Sequence, residues 1–170
     1  MTGQAAMEYL MTYGWALLVI VIVISILLFL NPFATPAGCR FDQLGFTCTT
    51  PVIQANGALF MKLTNGNSNN VVIQSVVCVL DKTNTRPTFT TGGWVPVGGQ
   101  QFPRETTLET TTTGVGAHAV TCQSSTGTTL NMPVGSDFSG RVWVAYRNEE
   151  DPGNYPVRVA SATITTKTVQ

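Results

Sequence analysis

The chain has 170 residues, 44% of them apolar and 11% charged, and a formal net charge of zero. It carries no basic cluster and no arginine stripe interleaved with aromatics, so the electrostatic footprint that holds nucleic-acid phosphates is missing. The charged fraction is less than half of the roughly 25% usual in soluble domains, while Thr, Ser, Asn, Gln and Gly are plentiful; such a surface stays wet through hydroxyls and amides and suits an exposed extracellular protein.

The apolar content is unevenly placed. Between Met1 and Cys39 the single charged side chain is Glu8, and the first basic residue is Arg40. From Trp15 to Leu30 the only polar side chain is Ser25, whose hydroxyl can bond back to a carbonyl one turn earlier. Asn31-Pro32 follows, and proline disfavours helical geometry in the residue before it, so a helix over 4–31 is expected to stop near Leu30 or Asn31. At about 1.5 Å per residue it is roughly 40 Å long, enough to span the hydrocarbon core of a bilayer.

Three readings of this helix compete. A cleavable secretory signal needs a basic n-region, and none is present here; the apolar run is also long for an h-region. A permanent single-pass anchor takes its orientation from Lys and Arg on the cytoplasmic side, and it leaves Glu8 unexplained, because an acid at the bilayer centre costs roughly 2.5 to 3.5 kcal/mol. A helix held first in the membrane and later packed among identical helices gives the acid a use. A lone carboxylate near the N-terminus can pair with an α-amino group of the same or a neighbouring subunit and so specify one axial offset between otherwise smooth apolar helices.

Gly3, Gln4, Ala5, Ala6, Met7, Glu8, Tyr9 and Leu10, followed by the long apolar run, resemble the class III signal of type IV prepilins, particularly those of archaeal pilins. The spacing from Gly3 to Glu8-Tyr9 is also similar to the motif of the short Flp pilins, which usually lack a large second domain. The resemblance covers about 30 of the 170 residues and implies that a membrane prepilin peptidase cuts after Gly3. Gln4 would then begin the mature subunit, with Glu8 at the position where type IV pilins carry their acid. It further implies a compact β-sandwich head after the helix.

After Pro32 the chain becomes short apolar runs separated by turn residues. "ALFMKL" (58–63), "VVIQSVVCVL" (71–80), "HAVTCQS" (118–124), "RVWVAYRN" (141–148) and "VRVASATITTKTV" (157–169) read as strands, punctuated by "TNGNSNN" and "DKTNTRP". In the fourth run Val142, Val144 and Tyr146 share one face, and Trp143 and Ala145 the other. About seven strands at this spacing predict an antiparallel sandwich; its immunoglobulin-like arrangement rests on the resemblance. The core is expected to draw on Leu59, Met61, Val72, Val76, Val120, Val142, Val144 and Val159.

The four cysteines, Cys39, Cys48, Cys78 and Cys122, form no CxxC pair, and His118 is the only histidine. Disulfides are therefore a better reading than zinc, and they place this half of the chain in an oxidising compartment. Of the three possible pairings, we favour Cys39 with Cys48 and Cys78 with Cys122. The Thr-rich stretch 100–116 reads as an exposed loop, solvated or carrying O-glycans at Thr110, Thr111, Thr112 and Thr113. "GGWVPVGG" (92–99) is a Gly-flanked apolar loop whose Trp94 packs under the head or against a neighbouring subunit.

Motifs for chemistry are lacking. His118 has no nucleophile partner by motif and reads as structural, and Glu149-Glu150-Asp151 before Pro152-Gly153 reads as a solvated turn, short of the oxygen ligands calcium needs. No enzyme, cofactor or metal is expected. The sequence thus predicts an α+β chain. A leader spans 1–3, a hydrophobic helix 4–31, a linker 32–38 and a β-sandwich head 39–170.

The expected role is that of a major or minor subunit of an archaeal type IV pilus. It would wait in the plasma membrane and polymerise through Glu8, Tyr9 and the rest of the helix into an adhesive surface filament. Its partners would be other copies of the chain, a prepilin peptidase, an assembly ATPase and a membrane platform. The alternatives are a monomeric membrane-anchored binding protein and a minor pilin or pseudopilin of a secretion or DNA-uptake system.

Overall fold

A computed structural model of the protein describes residues 3–30, 36–80, 93–96, 98–110 and 118–170. The expected leader residues Met1 and Thr2, most of the linker 32–38, the "DKTNTRP" turn and Thr111 to Thr113 lie outside the described residues. The chain divides into two compact units, Met1–Ala34 and Thr35–Gln170.

The first unit is built on one α-helix, Gly3–Leu30, one residue off the expected bounds at each end. It ends two residues before Pro32, which disfavours helical geometry in its predecessor. Its described side chains are exposed, and apolar ones occupy its whole circumference. The stretch Met7–Leu30 is long and apolar enough to cross a membrane.

The second unit is β-structure. Among the described residues its strands are β1 (Gly38–Phe41), β2 (Phe46–Cys48), β3 (Val52–Gln54), β4 (Ala58–Phe60), β5 (Lys62–Asn65), β6 (Val71–Leu80), β7 (Gln100–Phe102), β8 (Thr107–Glu109), β9 (Val120–Thr121), β10 (Gln123–Ser124), β11 (Asp137–Asn148) and β12 (Arg158–Val169). Nine of them form one sheet in the order β10-β6-β11-β12-β3-β4-β9, with β1 beside β12 and β7 beside β6. The other three form a second sheet, β2-β5-β8. Phe46, Leu63 and Leu108 of the smaller sheet share one core with Ile73, Val76, Val142, Val144, Ala160 and Ile164 of the larger.

The two ends of the larger sheet are consecutive in the chain, since only Cys122 separates β9 from β10. One segment therefore pairs with β4 through its first half and with β6 through its second. The hydrogen-bonded path thereby returns to its start, while β2 and β8 remain the outer strands of the smaller sheet. Two pairings, β10 with β6 and β12 with β3, are parallel, so the expected wholly antiparallel arrangement is corrected at these places.

Disulfides join Cys39 to Cys48 and Cys78 to Cys122, with Cα–Cα distances of 5.9 Å and 4.4 Å. The first links β1 of the larger sheet to β2 of the smaller. The second ties β6 to the segment that joins the two ends of the larger sheet.

Several strand expectations change, and twelve strands stand among the described residues where about seven were expected. The run 58–63 is two strands, because the chain leaves the larger sheet at Phe60 and enters the smaller at Lys62, turning at buried Met61. The expected loop 100–116 contains β7 and β8, anchored by Phe102 and Leu108 in the core. Within β12 the inward residues are Ala160, Ala162 and Ile164, so Val159 belongs instead to a small outer-face cluster with Val77, Val79 and Trp143.

The alternation along β6 carries the most informative correction. Val71 and Ile73 point into the core, but so do Val76 and Cys78. Opposite β6, Ala145 pairs with Ser75 and Tyr146 with Ile73, which leaves Gln74 as one extra residue in the ladder. A single inserted residue reverses which face later side chains occupy. Val72 is therefore only half-buried, although a uniform period of two places it with Val76. We expect Val71→Ala to destabilise the head by about 2 kcal/mol and Val72→Ala by less than about 1 kcal/mol. Urea unfolding of the two variants checks this, and equal losses would remove the bulge from the account.

Candidate functional site

Gly3 and Gln4 occupy the first turn of the helix, so the bond between them lies at its start. Glu8 and Tyr9 follow on the next turn, both exposed. The hydroxyls along the helix are satisfied locally: Thr12 Oγ1 donates to Glu8 O at 2.8 Å, and Ser25 Oγ donates to Val21 O at 2.7 Å, the backbone bond expected for Ser25. Neither hydroxyl is therefore left as an unpaired donor.

Glu8 is different. Its carboxylate is the single charge on the helix and has no hydrogen-bond or ion-pair partner among the described residues. Helical spacing puts Met11, Thr12 and Trp15 on its face at three, four and seven residues on. Met11, Thr12, Trp15 and Ala16 line a shallow apolar notch one turn beyond it. On the neighbouring face the Tyr9 and Tyr13 rings meet with centroids 4.6 Å apart, an i, i+4 pair. The arrangement places one exposed, unpaired acid beside an exposed apolar surface.

In the head, Thr110 is corrected as a glycan candidate. It is buried, and its Oγ1 donates to Leu59 O at 2.8 Å and accepts from Met61 N at 2.9 Å, bridging the point where the chain changes sheets. Those bonds occupy the hydroxyl that a glycan would need. Thr111, Thr112 and Thr113 lie outside the described residues.

Trp94 packs against the head's own core and pairs through its backbone with Val76. His118 stands just before β9 rather than within a strand; its ring meets Trp94 edge-on with centroids 4.3 Å apart, and its Nδ1 lies 3.2 Å from Glu109 O. In the acidic run, Glu149 accepts from Asn70 Nδ2 and Gln101 Nε2, and Asp151 accepts from Asn148 N and Arg158. That run pins a turn to its surroundings instead of merely facing water. Among the described residues no three His, Cys, Asp or Glu side chains gather as metal ligands.

Two polar centres escaped the sequence reading. Asn65 is fully buried: its Nδ2 donates to Phe102 O and Asn69 O, and its Oδ1 accepts from Asn67 N and Nδ2, so the "TNGNSNN" turn is organised around one amide. The available signal was the alternation of "KLTN", which sends Leu63 and Asn65 inward together. Arg141 forms an ion pair with Asp42, 99 residues away; no local pattern marks that pair. The chain matches no family model, and no curated protein matches it.

Proposed function

We propose that this chain is a structural subunit of a cell-surface filament of the type IV pilus kind, with residues 4–31 as filament core and the β unit as an immunoglobulin-like sandwich head. The observation that carries the reading is a span-length helix, apolar on every side, whose one charge, Glu8, lies five residues after the Gly3 of a prepilin-like signal. The shared core of the two sheets and the two disulfides support a self-sufficient extracellular head.

In this reading the helix waits in the membrane, and a prepilin peptidase cuts after Gly3. An ATPase-driven platform then transfers the helix into a bundle of identical helices. Lipid is already apolar, so hydrophobic transfer contributes little to that step; close packing and the Glu8 pairing supply the specificity. The contact is head-to-tail and does not close, which makes a filament. The heads coat its surface and present adhesive sites.

N-terminal peptide mass spectrometry of filaments sheared from the producing cells tests the proposal. We expect an abundant peptide beginning at Gln4. Protein that stays with the membrane and retains Met1 would instead establish a monomeric anchored binding protein, a reading the same span-length helix also supports. A Gln4 peptide found only in trace amounts would indicate a minor pilin or pseudopilin.

A further inference from the structure

The outer face of the larger sheet carries a second candidate site. β11, β12 and β1 lie side by side there, and the alternation that turns Val142, Val144, Ala160 and Ala162 into the core turns Arg141, Trp143 and Ser161 the other way. With Asp42 and Gln43, on the turn that leaves β1, these three side chains line an open pocket of about 390 Å³.

The pocket is prearranged by its own bonds. Arg141 Nη1 donates to Asp42 Oδ2 at 2.5 Å, Ser161 Oγ donates to the same oxygen at 2.9 Å, and Ser161 N donates to Gln43 Oε1 at 2.8 Å. The guanidinium also lies 5.7 Å from the centre of the Trp143 ring. Each of these contacts uses one end of a two-ended group. Asp42 Oδ1 remains as an acceptor and Gln43 Nε2 as a double donor, both on exposed side chains and both without a partner among the described residues, while the buried Arg141 Nε also lacks one.

The charges select the ligand. The Arg141 side chain is 11% exposed and that of Asp42 42% exposed, so the cation lies beneath and a carboxylate faces the opening. An anionic ligand would meet that carboxylate first, and a metal ion would find a single acid already neutralised by arginine. A hydroxylated, uncharged molecule suits both free groups, because one hydroxyl donates to Asp42 Oδ1 while its neighbour accepts from Gln43 Nε2. Trp143 is buried, 7% exposed, and adds only a small apolar patch to the lining. We propose that this pocket binds a neutral saccharide through a vicinal diol. The inference deepens the filament reading by naming a ligand class for the head, and it rests on that reading only for repeated display along a fibre.

The test uses the full chain as monomers in detergent micelles, applied to an immobilised array of neutral, sialylated and sulfated oligosaccharides. We expect retention on neutral glycans. With a retained neutral glycan as the probe, Gln43→Glu should weaken retention about tenfold or more, because it keeps an acceptor for Ser161 N but removes the donor; Gln43→Met provides a second, uncharged removal. The proposal is overturned by an absence of neutral-glycan retention, by retention confined to anionic glycans, or by natively folded Gln43 variants that bind as the wild type does. The wild-type array decides even if neither variant folds. Since micellar monomers are assayed, failure here is distinct from failure of the filament reading, which shows as a lack of sheared filaments.

Discussion

Glu8→Gln and Glu8→Ala are both expected to lower filament yield about tenfold or more while leaving the β head folded and oxidised. The helix is apolar around its circumference, so many axial offsets between two copies bury similar surface at similar free energy. One carboxylate distinguishes them, because only the offset that brings it a cationic partner avoids leaving a desolvated charge unpaired. Breaking such a buried pair typically costs about 3–5 kcal/mol. Gln retains the shape and hydrogen bonds without the charge, and Ala removes both, so the two variants separate charge pairing from simple packing. Glu8 belongs to the other compact unit from the head's disulfides and core. The measurement is sheared filament mass per cell beside the near-UV spectrum of membrane-extracted protein. Wild-type yields from both variants would eliminate the register role.

Removing the Cys78–Cys122 bridge should cost more than removing Cys39–Cys48. Their sequence separations are 44 and 9, for which the chain-entropy account gives about 4 and about 2.5 kcal/mol. Position reinforces the order. Cys78 and Cys122 are wholly buried, whereas Cys39 and Cys48 are partly exposed, and Cys122 lies where the two ends of the larger sheet meet. Against a total stability of roughly 5–15 kcal/mol, the Cys78→Ala/Cys122→Ala pair should leave a marginal head. The Cys39→Ala/Cys48→Ala pair should leave a weakened but cooperative one. Urea midpoints read this directly, and the reverse order would show that the short bridge between the sheets governs stability.

These two cases also mark where sequence and tertiary structure divide the determination of the molecule. The helix, its stop before Pro32 and the back-bonded Ser25 are properties of composition and of neighbours within one turn, so the chain dictates them without reference to any partner. Glu8 stands out for the same reason, as a lone charge in an apolar run. The long strands β6, β11 and β12 announce themselves through β-branched composition, and in β11 the alternation holds without interruption.

Burial in β6 was decided elsewhere. The extra residue at Gln74 exists only against the register of β11, and nothing within "VVIQSVVCVL" shows that the inward face changes after Ile73. The division of 58–63 at Met61 likewise depends on Thr110, about fifty residues away, whose hydroxyl holds the break on both sides. A threonine in a polar run looks solvated until the fold surrounds it. The outer-face pocket is the extreme instance. Asp42 and Gln43, Arg141 and Trp143, and Ser161 come from separate parts of the chain and meet only because β1 and β11 flank β12. Local chemistry determined the helix and the long strands; long-range pairing determined the short strands β7 and β8, the break at Met61 and which side chains are brought together.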